Sequence, residues 1–122
     1  MASDSSVTVL DRAALLDRIG DDAEFLQELA AMFCEQRQSL LAEIQSALQA
    51  GDAAALARAA HTLKGCVGNL GAGSAFQAAL RLELLARNRQ LSEAQRAALE
   101  LEDEVLRFEQ ALLRLAEELH AA

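Results

Sequence analysis

The sequence predicts an all-α protein, an antiparallel four-helix bundle with a short extra helix at its N-terminus. Three observations carry this. Of the 122 residues, 27 are Ala and 23 are Leu, both strong helix formers. There is no proline to break a helix interior. Apolar residues recur at helical spacing between short breaks marked by glycine and capping residues. Aromatics are 3% of the chain and β-branched residues are few, which excludes sandwiches and nucleotide-binding folds built on a parallel sheet. The length is that of one domain.

Each element has its own signals. Residues 1–9 read as a polar lead, and 10–122 as a single helical domain. Asp11 caps a short helix that runs through Ile19 and stops at Gly20. Asp22 caps the second helix, with apolar positions Phe25, Leu26, Leu29, Phe33, Leu40 and Ile44. Gly51-Asp52 supplies a stop and the next cap. A third helix runs to about Leu70. Gly71-Ala72-Gly73-Ser74 is the next break, with Ser74 as the expected cap of a fourth helix ending near Arg87. Residues 88–92 form a loop in which Ser92, Glu93 and Gln95 resemble a capping box. The last helix presents Leu99, Val105, Leu106, Phe108, Leu112, Leu115 and Leu119. Short loops make successive helices antiparallel.

Charge and cysteine usage narrow the function. The net charge of −8 disfavours a nucleic-acid partner, because a phosphate backbone repels such a surface. Cys34 and Cys66 make no disulfide framework and lack neighbours at metal-ligand spacing. No metal site is expected. No apolar run approaches membrane-spanning length and no signal peptide stands at the start, so a reducing cytoplasm is expected. A monomer is expected too, since an exposed functional face needs no dimer.

The third helix carries the functional information. At about 100° per residue, Leu56, Ala59, Ala60, Leu63, Cys66, Val67 and Leu70 form the core stripe. Ala57, Arg58, His61, Lys64, Gly65 and Gly68 fall on the opposite face, so His61 points away from the core. Two glycines inside a helix cost about 1 kcal/mol each relative to Ala. Gly65 lies one turn from His61 and leaves room for the backbone of another protein. Gly68 can be read the same way, or as a site of tight helix packing. There is no acidic residue from Ala53 to Leu82, while Arg58, Lys64 and Arg81 fall in that window with His61. A local positive patch in an acidic protein suits a transferable anion such as phosphoryl, or an acidic partner.

The string Ala60-His61-Thr62-Leu63-Lys64-Gly65, continued by Cys66-Val67-Gly68-Asn69-Leu70-Gly71-Ala72, strongly resembles the histidine-containing phosphotransfer (HPt) domains of bacterial multistep phosphorelays. The resemblance implies a four-helix bundle that shuttles a phosphoryl group and has no ATP site of its own. His61 would be the phosphoacceptor, attacking through Nε2. Lys64 would meet the phosphoryl oxygens, and Gly65 would admit an incoming receiver domain. Arg58 and Gly68 share that partner-facing surface. Glu83 matches the family position that accepts a hydrogen bond from the imidazole, fixing its tautomer. Its spacing with Phe76, Ala79 and Leu80 also turns it inward; the other reading is an exposed pair with Arg87 four residues on. Arg87 is placed near the phosphoryl group. Mg²⁺ would belong to the partner. Response-regulator receivers, or a hybrid sensor kinase, are the implied partners. Cys66 and Val67 replace the commoner Ser and Ala.

Other signals carry less. No P-loop motif is present, and Gly71-Ala72-Gly73 follows no strand. Glu117-x-x-His120 has the spacing of one half of a di-iron site but lacks its second pair. Two alternatives to a relay intermediate stand: the phosphoacceptor domain of a larger chemotaxis-type or hybrid kinase, and a helical adaptor that binds receivers without phosphate chemistry. The starting Met1 favours a free-standing protein over an excised domain.

Overall fold

Three aspartates begin three helices by the same mechanism. Asp11, Asp22 and Asp52 have extended backbones, and each carboxylate accepts from the N–H three residues on: Ala14 at 3.1 Å, Phe25 at 3.0 Å and Ala55 at 3.0 Å. The computed structural model describes residues 8–121, so the first seven residues of the expected polar lead lie outside it. The helices are α1 (Arg12–Ile19), α2 (Ala23–Ala50), α3 (Ala53–Asn69), α4 (Gly73–Arg87) and α5 (Leu91–Ala121). Gly20 and Gly51 close α1 and α2 in the left-handed conformation.

The two remaining starts differ from expectation. Ser74 does not cap α4. The cap residue is Ala72, which offers no side-chain bond, and Ser74 lies in the first turn. Its N–H is satisfied from elsewhere, by the Thr8 carbonyl at 2.8 Å. The chain before α1 therefore straps the α3–α4 turn, fastened again by Asp11 N–H to the Gly71 carbonyl at 2.8 Å. Similarly, α5 begins at Leu91, before Ser92, with the Gln90 carbonyl accepting from Ala94 N–H.

Helices α2, α3, α4 and α5 pack in a ring, each against the next and α5 back against α2. Helices α2 and α5, of 28 and 31 residues, outrun α3 and α4, of 17 and 15. Helix α1 covers the projecting end. It buries Leu15, pairs Arg12 with Glu118 of α5, and sends Arg18 to the Asn69 carbonyl at the end of α3. The core joins Phe33 of α2 to Phe108 of α5 edge to face, 5.1 Å apart, within a layer of buried Leu, Ile, Val and Ala. Arg37 and Glu109 clasp the same two helices through paired hydrogen bonds of 3.1 and 3.0 Å.

Some apolar positions of the wheels lie outside this core. Phe25, Leu99 and Leu106 are exposed, while Ala57, placed on the outer face of α3, is buried. Cys66 is half-buried at the edge of its stripe. Helical spacing defines a face; how far neighbouring helices wrap around it decides which residues are covered. Among the described residues, no helix is long and apolar enough to cross a membrane.

Candidate functional site

The middle of α3 and the second half of α4 build the site. His61 projects from α3, and its side chain is 61% exposed. Glu83 comes up from α4 beneath it and is only 4% exposed. His61 Nδ1 lies 3.0 Å from Glu83 Oε2. An ionised carboxylate only accepts, so Nδ1 carries the proton and Nε2 is the ring nitrogen with its lone pair free.

Two more cations share Glu83. Arg87, one turn along α4, donates to the same Oε2 from Nε at 3.1 Å and from Nη2 at 2.7 Å. Lys64, three residues after His61 on α3, brings Nζ to 2.8 Å from Oε1. This last contact is an ion pair approached off the hydrogen-bonding direction, since Oε1 is buried with no aligned donor. Burial pushes the Glu83 carboxyl upward, but Lys64, Arg87 and His61 outweigh it and hold the pKa down at about 2. Glu83 is therefore ionised at neutral pH, as its orienting contact with the imidazole requires.

The structure thus brings His61, Lys64, Glu83 and Arg87 into one cluster. Glu83 accepts from His61 and from Arg87 at once, and the pair with Arg87 rests on a buried carboxylate, not an exposed one. Lys64 makes an ion pair that its expected role beside a phosphoryl group did not include. It is folded onto Glu83 and its side chain is 20% exposed. The missed signal is geometric, because Lys64 on α3 and Glu83 on α4 meet only once the two helices are paired. Arg58 is exposed on α3 and makes no hydrogen bond or ion pair with the cluster.

The two glycines separate. A Cβ built at Gly65 meets nothing within 4 Å, so no intramolecular contact explains the glycine and the surface beside His61 stays open. At Gly68 a Cβ would lie 3.0 and 3.3 Å from the Phe76 ring. Gly68 thus lets α4 approach α3, which supports the tight-packing reading of this glycine, while the residue itself stays exposed on the surface. Both cysteines stay thiols: burial and then Glu109 push Cys34 up to about 11, and burial raises Cys66. Glu117 and His120 are exposed at the far end of α5.

A helical bundle that presents an oriented imidazole on one helix, backed by an ionised carboxylate from the next, has the architecture of a histidine phosphocarrier. The Hpt domain model matches residues 28–121, and the chain belongs to this family of phosphotransfer modules of two-component signalling. Comparison with curated proteins and with solved structures gives no match.

Proposed function

We propose that this chain is a phosphorelay intermediate in the cytoplasm, accepting a phosphoryl group on His61 from an aspartyl phosphate of one receiver domain and returning it to the aspartate of another. The observation that carries the reading is the Nδ1–Glu83 contact at 3.0 Å on an otherwise exposed ring. With Nδ1 protonated, the Nε2 lone pair attacks phosphorus. The N–P bond forms as the acyl P–O bond breaks, and the receiver's carboxylate leaves with that electron pair. The ring becomes cationic because it keeps its Nδ1 proton, and the Glu83 charge stabilises it. Onward transfer is the reverse, with neutral imidazole as the leaving group.

Lys64 is within reach to turn from Oε1 toward the phosphoryl oxygens as their cation. Gly65 supplies the gap through which a receiver approaches. The chain needs no cofactor of its own on this reading, the Mg²⁺ of the reaction being held by the receiver.

The test is phosphotransfer from a labelled receiver. Acid-labile, base-stable label should appear on the wild-type protein and be absent from His61→Gln; label that persists in the variant overturns the assignment. Gly65→Gln should slow transfer severalfold while helicity stays unchanged. Labelling by an ATP-bound kinase domain, with none from any receiver, would make this the phosphoacceptor module of a kinase instead.

A further inference from the structure

Arg87 is the residue whose placement the phosphotransfer chemistry leaves unexplained. Its guanidinium makes two hydrogen bonds to Glu83, and both end on Oε2, the atom that also accepts from His61 Nδ1. Oε1, the other oxygen, has only the misaligned Lys64 ammonium. Three N–H donors thus compete for one carboxylate oxygen, which has two lone pairs. The oxygen that Arg87 binds is the one that holds Nδ1, the ring nitrogen other than the Nε2 that would carry phosphoryl.

We propose that Arg87 is a positioning residue that acts on His61 through Glu83: by sharing Oε2 with the Nδ1–H it weakens the carboxylate's hold on the ring and so sets how firmly a phosphoryl group is kept. This inference rests on the phosphotransfer reading. Phosphorylation with Nδ1–H retained makes the ring cationic. A carboxylate with its charge fully available would stabilise that cation strongly, and the group would be held too well for onward transfer. Arg87 neutralises part of the charge at Oε2, the atom that holds Nδ1. It also anchors Glu83 independently of Lys64, so Lys64 can leave Oε1 for the phosphoryl without releasing the carboxylate.

The experiment has two arms on the full chain, comparing wild type, Arg87→Ala and Arg87→Lys. The first uses the unphosphorylated protein alone and reads the His61 Nδ1–H resonance by NMR. In Arg87→Ala the signal should move downfield as the hydrogen bond to Glu83 strengthens, and Arg87→Lys should lie between. The second reads the equilibrium of phosphoryl between a receiver and His61. Arg87→Ala should shift it toward phosphorylated His61 by roughly two- to fivefold, the scale of a half-exposed charge, and Arg87→Lys should restore part of the difference.

A shift away from phosphorylated His61, with the resonance unmoved, would show that Arg87 meets the phosphoryl directly and overturns the proposal. No change in either arm would reduce the contact to a surface ion pair and overturns it equally. Failure of wild-type His61 to accept label would sink the phosphotransfer reading, while the resonance arm would still report on the Arg87–Glu83–His61 coupling.

Discussion

A carboxylate that is 4% exposed and ionised must have its charge answered close by, and Glu83 is answered from both helices that enclose it: His61 and Lys64 on α3, Arg87 on α4. Its folded pKa of about 2 stands below the ordinary 4.5. A depressed carboxylate contributes stability that is present above its unfolded pKa and is lost as pH falls toward the folded value. The contribution is on the order of 3 kcal/mol at neutral pH. Urea unfolding should therefore show wild-type stability declining between about pH 5 and pH 2. Glu83→Gln should flatten that part of the profile, and parallel profiles would mean that the acid transition belongs to other groups. At this scale the sequence was legible where chemistry dictated a partner. An inward Glu requires cations; Arg87 was nameable from its spacing four residues on, and His61 from the family resemblance. The Lys64–Glu83 pair was not legible, because a flexible four-carbon side chain goes to the nearest buried charge, and that charge lies on another helix.

The helices were readable where their ends are self-contained. Asp11, Asp22 and Asp52 cap through their own side chains, and local sequence suffices to find them. The start of α4 was not readable, because its cap is a carbonyl more than sixty residues away at Thr8. The glycines obey the same division, and unfolding experiments can separate them. Gly65 is mid-helix with open space around a built Cβ, so Gly65→Ala should stabilise by up to about 1 kcal/mol through helix propensity alone. Gly68→Ala gains the same propensity but sets a methyl against Phe76, and its net effect should be zero or destabilising. Gly71 has φ +79°, and a Cβ there would lie 3.2 Å from the Asp11 carbonyl oxygen. Gly71→Ala should cost about 1–2 kcal/mol from backbone strain, and it should loosen the strap over α4. Measured midpoints ranking Gly65→Ala above wild type and Gly71→Ala lowest would support this order. A destabilised Gly65→Ala would reveal a packing role for that glycine.

Over the whole molecule, net charge and local charge have opposite signs. The chain carries −8, yet no acidic residue lies between Ala53 and Leu82. Folding places Glu83, the first acid after that window, beneath His61, where it is matched by Lys64 and Arg87. One negative charge against two fixed positive ones leaves the surface around a neutral imidazole cationic. Arg58, exposed on the same helix one turn before His61, adds to it. This imbalance was visible in the sequence as a gap between acids; the neutralised floor under it was not, since it needs α3 and α4 side by side. On the proposed function, a cationic face on an acidic body would orient an acidic receiver pocket toward His61 and repel it elsewhere. Transfer from a receiver should then slow as ionic strength rises, because screening acts on the encounter. Arg58→Glu reverses one charge of the face without touching the His61–Glu83 contact. At low salt it should reduce the second-order transfer rate by roughly three- to tenfold. The rate within the preformed complex should stay the same, and the difference from wild type should shrink at high salt. If the variant instead slows transfer within the complex, Arg58 acts on the reacting group, and the face does not steer.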